Sequence, residues 1–191
     1  MSLTFEQVMQ LTRTISSSAA FEEPECRAYF DILMGMPSDS KYPVVEIGLQ
    51  FGRSSSIALS VAKERKLRYV GIDPFIDPPE AIDAWTSLAR KIGHPFTLCC
   101  EDSKNSFVPM PGCVLIDGNH WEEYVRSDTQ RFASCVQVGG YALYHDVGDF
   151  QLPNVYPTVD AKLVRSLIAD LPGKWEELPR VGCLGIFQRT A

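Results

Sequence analysis

The sequence predicts an α/β fold: a doubly wound, mostly parallel seven-stranded sheet that ends on an antiparallel C-terminal strand. Three observations predict it. Short apolar runs rich in β-formers recur at Val44 to Ile47, Tyr69 to Ile72, Phe96 to Cys99, Cys113 to Ile116 and Tyr141 to Tyr144. Strands buried on both faces read as continuous runs of this kind. Helix-like segments over Ser54 to Lys66, Pro79 to Ile92 and Glu122 to Val136 separate most of them, as parallel strands require. The tail then departs from the alternation. A helix over Val159 to Leu171 precedes two strands, Trp175 to Leu178 and Gly182 to Gln188, joined by a tight "PRVG" turn. A terminal hairpin of this kind adds an antiparallel strand.

Ahead of the sheet, residues 1–40 read as a helical segment that packs on or covers the core, and residues 41–191 as a single domain. Its first stretch carries Phe5, Val8, Met9, Leu11 and Ile15 at mixed three- and four-residue spacing, followed by the serines 16 to 18. Its second runs from Pro24 through Tyr29, Phe30, Leu33 and Met34 to Gly35. The chain of 191 residues is long enough to bury a substantial core as one domain. A net charge of −6 argues against a nucleic-acid partner held by phosphate neutralisation. The six cysteines form no CxxC pair and mostly sit in apolar runs. With no apolar stretch long enough for a bilayer and no leader pattern, the expected setting is reducing and cytoplasmic, without a membrane partner.

The first strand–helix turn, "VVEIGLQFGRSSSIALS" from residue 44 to 60, is where an open α/β sheet would hold a ligand. Gly48 and Gly52 permit backbone angles and a close approach that a side chain would block. Ser54 and Ser55 stand where a helix N-terminus meets an anion such as a carboxylate. The spacing fits neither GxGxxG nor GxxxxGK[ST], which argues against a standard dinucleotide fingerprint and a P-loop. A carboxylate at a strand end can accept two hydrogen bonds from a ribose diol, and Asp73 lies one half-unit after the glycines.

Glu46, Gly48 and Gly52 together resemble the first motif of class I S-adenosylmethionine-dependent methyltransferases, an acid, one residue, glycine, three residues, glycine. Further matches follow in order. Asp73 in "YVGIDPF" matches the family's ribose-binding acid, and Asp102 and Ser103 in "LCCEDS" match its adenine contact. Residues 114 to 147, with "IDGNH", an acidic helix, "GG" and "HDV", resemble the macrocin- and catechol-type O-methyltransferases. The resemblance implies a Rossmann-like methyltransferase fold, S-adenosylmethionine as cofactor, and transfer to a hydroxyl of a small molecule. Its implied cofactor-binding residues are Glu46, Gly48, Gly52, Ser54, Asp73, Asp102, Ser103 and Asp117. Glu46 would either reach the cofactor's amino group through water or brace the glycine loop.

The candidate catalytic residues Asp117, His120 and His145 gather, with Asp146, at the ends of the fourth and fifth strands. Two mechanisms fit. In one, a divalent metal on Asp117, His145 and Asp146 lowers the acceptor's pKa. The catechol-type relatives use two acids and an asparagine at the matching positions; the histidine and second aspartate here weaken a magnesium assignment, and a mixed nitrogen–oxygen set would also suit manganese, iron or zinc. In the other, His120 or His145 is a general base. The bland readings are that His120 caps the following helix and His145 bonds a backbone group. Trp121 and Tyr124 would line an acceptor pocket or pack on the sheet, and the loop "GDFQLPNVYPTV" with Phe150 and Tyr156 would cover it. The short chain, without an inserted acceptor domain, suggests a small acceptor or a homodimer completing the site. The rival functions are a cofactor-binding protein with a degenerate acceptor site and an NAD-dependent oxidoreductase.

Overall fold

Side-chain alternation along short buried strands decides the layering of the molecule. The computed structural model describes residues 3–13, 21–75, 80–148 and 158–191. Two helices come first, α1 (Phe5–Arg13) and α2 (Glu23–Gly35). Strand β1 (Val44–Ile47) leads into α3 (Arg53–Arg65), and β2 (Tyr69–Ile72) into α4 (Ala81–Ile92). Strand β3 (Thr97–Cys99) is followed only by a 3-10 turn, Ser103–Asn105, before β4 (Cys113–Ile116). Helix α5 (Glu122–Arg131) and a second 3-10 turn, Ala133–Cys135, lead to β5 (Tyr141–Tyr144). Beyond it come β6 (Val147–Gly148), β7 (Val159–Asp160), α6 (Ala161–Ala169), β8 (Trp175–Val181) and β9 (Leu184–Arg189).

The main sheet has seven strands in the order β3-β2-β1-β4-β5-β9-β8, and its first five are parallel. Strand β9 runs antiparallel to β5, with Tyr144 opposite Gly185, as the sequence predicts for the tail. Val44, Cys113, Leu115 and Leu143 point into one core with α1 to α4, around Trp85 and Tyr29. Val45, Ile47, Val114, Ile116 and Tyr144 point into the other, with α5 and α6. Helices α1 and α2 share the first core with the sheet, and both lie against α3. The chain turns opposite ways from β1 and β4, which are neighbours paired from Val44↔Cys113 to Ile47↔Ile116. That switch point opens a crevice at their carboxyl ends.

Three boundaries differ from the sequence reading. The "PRVG" segment is not the hairpin turn. Strand β8 continues to Val181 across a register shift after Leu178, and the loop is Gly182-Cys183, with Gly182 at φ 58°. Pro179 is tolerated because β8 is an edge strand, where a missing N–H leaves no ladder partner stranded. Helix α6 starts at Ala161 because Val159-Asp160 pairs with Val147-Gly148, and Asp160 caps the helix by accepting from Lys162 N at 2.8 Å. The helix predicted to reach Val136 ends at Arg131 and tightens into the 3-10 turn. Ile15, serines 16 to 18, Pro79, Phe150 and Tyr156 lie outside the described residues. Among the described residues no helix is long and apolar enough to cross a membrane.

Candidate functional site

The glycine turn after β1 is built by close backbone contact. Gly48, at φ 84°, lies so tightly against the carbonyl of Asp117 and the Cα of Gly118 that no side chain fits. The ends of β1 and β4 therefore touch there. Gly52, also at φ 84°, precedes α3, and a Cβ on it would meet Leu88 Cδ2 at 2.5 Å and Trp85 Cδ1 at 3.0 Å. Its lack of a side chain lets α4 pack on the turn. Between them Gln50 is held at φ 41°, a conformation costly for a residue with a Cβ.

Asp73 ties this turn to the end of β2. Its Oδ2 accepts hydrogen bonds from Leu49 N at 2.6 Å and Gln50 N at 3.1 Å, and its Oδ1 accepts from Phe75 N at 2.6 Å. Glu46, wholly buried in β1, accepts from the Tyr69 hydroxyl, which lies 3.2 Å from Ser55 Oγ. Burial pushes the Glu46 carboxyl up to about 7, against hydrogen bonds from Tyr69, Ser54 and Ser55. Its Oε1 is buried with no hydrogen-bond partner. Asp102 caps the 3-10 turn by accepting from Lys104 N at 2.8 Å, and Ser103 is buried behind it. Burial also raises the nearby Asp128 carboxyl, on α5, to about 6.

At the ends of β4 and β5 a second group of side chains meets. His120 Nε2 lies 3.9 Å from Asp117 Oδ1 and 3.7 Å from Asp146 Oδ2. Asp146 is held at φ 54° in a sharp turn out of β5. Just ahead of α5, Asn119 Oδ1 accepts from Trp121 N at 3.0 Å. Trp121 is 65% exposed, and Lys104 Nζ lies over the ring of the half-buried Tyr124, 3.5 Å from its centroid.

His145 stands differently from the expectation for it. The ring is 1% exposed, with Nδ1 at 3.1 Å from Asp117 Oδ1 and 3.5 Å from Asp146 Oδ2. On the other side Nε2 lies 3.3 Å from Glu25 Oε2 and 3.6 Å from Cys183 Sγ. Burial opposes its charge, but hydrogen bonds to Asp117, Asp146, Cys183 and Glu25 outweigh burial and hold the imidazolium far above the ordinary histidine range. Both ring nitrogens are engaged by side chains of the fold, so a role for His145 as base or ligand, as the sequence suggests, would require one of these contacts to give way. Among the described residues two groups of donors each converge within 4.8 Å of one another: the more buried Glu25, His145 and Cys183, and the more open Asp117, His120 and Asp146. Two carboxylates and an imidazole fit a divalent metal of mixed nitrogen and oxygen preference, with the His145 cation competing for the same carboxylates.

Glu25 and Cys183 were not singled out in the sequence. Glu25 sits in the first turn of α2, where it completes a capping box with Glu22. Burial opposes its charge, yet hydrogen bonds from His145, Cys183 and Glu22 bring its carboxyl down to about 2. His145 draws the Cys183 thiol down, but burial and Glu25 outweigh it and the thiol stays raised and protonated at neutral pH. A separate hollow of about 230 Å³, lined by Pro43, Arg68, Phe96 and Pro109 among others, opens at the opposite, amino ends of the strands.

Comparison with known proteins bears on this geometry. A family model described as "Methyltransferase domain" matches residues 45–147, more than half of the chain. The stretch runs from the second residue of β1 to the first residue of β6. No curated protein matches the sequence. Among solved structures, the N-methyltransferase NodS from Bradyrhizobium japonicum WM9 superposes with a TM-score of 0.67 at 16% identity, over 90% of this chain and 97% of that one. An O-methyltransferase from Bacillus cereus in complex with SAH gives 0.67 at 15% identity, over 96% and 88%. The SAH-bound Podospora anserina methyltransferase PaMTH1 gives 0.67 at 16%, over 98% and 88%. At these identities the likeness is one of fold.

Proposed function

The chain belongs to the methyltransferase-domain family, and on that footing we propose that it moves the methyl group of S-adenosylmethionine to a hydroxyl of a small molecule. The observation that carries this reading is the meeting of two groups across the β1–β4 switch point. The Asp73-bound glycine turn lies on one side and Asp117, His120 and Asp146 on the other. The cofactor fits the residues present. Glu46, Gly48, Gly52, Ser54, Asp73, Asp102, Ser103 and Asp117 would hold it, and the orphaned Oε1 of Glu46 offers an acceptor to a cationic amine. Bound there, S-adenosylmethionine supplies a methyl group activated by its sulfonium. The protein then has to align the acceptor and take its proton. His120 suits the second task, since it is 11% exposed at its side chain and faces two carboxylates able to stabilise the imidazolium that forms. Where a divalent metal is used, Asp117, His120 and Asp146 would hold it and it would lower the acceptor's pKa.

Family membership disfavours the oxidoreductase alternative. Calorimetry with S-adenosylhomocysteine, S-adenosylmethionine and NAD tests the donor side: both sulfur compounds should bind, and binding of NAD alone would overturn the proposal. A panel of catechols, phenols and sugar glycosides, read by mass spectrometry with and without chelator, tests the acceptor side. Methylated product should form, and His120→Ala should lower kcat about a hundredfold.

A further inference from the structure

The acceptor-side cluster has an anchor in helix α2 to which methyl transfer assigns no role. Glu25 is 1% exposed and reaches across 120 residues of chain to His145 and 158 to Cys183. Its Oε1 accepts from Cys183 N at 2.8 Å and from Cys183 Sγ at 2.9 Å. Its Oε2 accepts from Glu22 N at 2.7 Å and faces His145 Nε2 at 3.3 Å. A side chain on Gly182 would run into this carboxylate, so the β8–β9 loop is shaped around it. Phe21 closes the face of the imidazole, ring to ring at 4.7 Å. The opposite nitrogen, Nδ1, looks out at Asp117 and Asp146, the same two carboxylates that face His120.

We propose that Glu25 is a positioning residue for the acceptor side. It holds His145 from behind, turns Nδ1 toward Asp117 and Asp146, and so sets where those carboxylates stand relative to His120. The proposal rests on the reading of Asp117, His120 and Asp146 as the acceptor side. The physical need is plain. An imidazole held at one nitrogen can swing, whereas one held at both ends, with the tilted Phe21 ring against its face, cannot. A misplacement of roughly 1 Å at a reacting centre costs about a hundredfold in rate. Glu25 touches neither the glycine turn nor Asp73 and reaches the cofactor-holding residues only through Asp117, so cofactor affinity should depend on it less than turnover does.

The test uses the full chain in three forms: wild type, Glu25→Gln and Glu25→Ala. Each is assayed below its melting transition with an acceptor that the wild type methylates. Glu25→Ala should lower kcat about a hundredfold with little change in acceptor KM. Glu25→Gln, which keeps the shape and can still bond the ring, should recover to within about tenfold of wild type. In both, affinity for S-adenosylhomocysteine should fall by a smaller factor than kcat does in Glu25→Ala. Nitrogen-15 NMR of the wild type should show protons on both ring nitrogens of His145, and Glu25→Gln should lose the Nε2 proton. A wild-type kcat in Glu25→Ala, or a stoichiometric metal ion on Glu25, His145 and Cys183 in the wild type, would overturn the proposal. If no acceptor in the panel is methylated, the methyl-transfer reading fails. The ring signals then still decide whether Glu25 holds His145.

Discussion

Two glutamates are buried on either side of the switch point, and they behave oppositely. Glu46, in β1 on the cofactor side, is 0% exposed, and burial raises its carboxyl to about 7. Glu25, in α2 on the acceptor side, is 1% exposed, and its carboxyl falls to about 2. Burial disfavours charge in both, so the partners make the difference. Glu46 is met by hydroxyls and leaves Oε1 unpaired; Glu25 is met by an imidazolium, a thiol and two backbone N–H groups. Glu46 thus keeps one buried oxygen unpaired, which the proposed function would give to the cofactor, while Glu25 belongs to an internally balanced network.

The largest effect that would break this contrast comes from removing the balanced charge. Glu25→Ala should lower stability at neutral pH by about 4 kcal/mol, because it leaves His145 buried without its partner on that side. Urea denaturation measures it, and a loss below about 1 kcal/mol would mean the network is not balanced by Glu25. Next in size is the pH response. A carboxyl raised from 4.5 to about 7 keeps its proton in the folded state while the unfolded chain loses it, so stability falls as pH rises through that window and then levels. For Glu46 the fall should be about 3 kcal/mol, and Glu46→Gln should abolish it. Glu25 has the opposite sign: its contribution is present above 4.5 and is lost as pH falls toward about 2. Urea midpoints across both windows, for wild type and Glu46→Gln, separate the two.

A smaller change sharpens what the glycine turn is for. Gly52→Ala should cost about 2 kcal/mol, from the left-handed φ and overlap with Trp85 and Leu88, both side chains that can shift. Affinity for S-adenosylhomocysteine should change less than stability does, since the crowding is toward α4. A large loss of affinity with little loss of stability would show that the cofactor contact, rather than packing on α4, is what requires glycine at position 52. Gly52 illustrates how the sequence was readable. The turn, its order before Asp73, and the acids at the ends of β2 and β4 were legible because each is local and strand ends recur in order. Which way a glycine's missing Cβ points was not legible, because α4 decides it. Glu25 and Cys183 were hidden for the same reason. One looked like a helix-start acid and the other like a small buried residue, and their meeting depends on where α2 and the β8–β9 loop dock. His145 was found by its place after β5, but its partners on the far side, Glu25 and Cys183, could not be seen.

The smallest expected effect tests whether the acceptor-side network is held by charge or by the thiol. In Cys183→Ser the backbone N–H at 183 still donates to Glu25 Oε1, at 2.8 Å in the wild type, and only the Sγ contact changes. Sulfur is a weak donor, and a hydroxyl can take over its bond, so stability should change by less than about 1 kcal/mol. The pH limb assigned to Glu25 should stay where it is, because the imidazolium and the two N–H groups that favour its charge are untouched. A serine variant that melts far earlier, or one whose acid limb moves toward the ordinary carboxylate range, would show that the thiol sustains the ionised Glu25. The contrast with Glu46 would then lie in one sulfur atom rather than in the His145 charge.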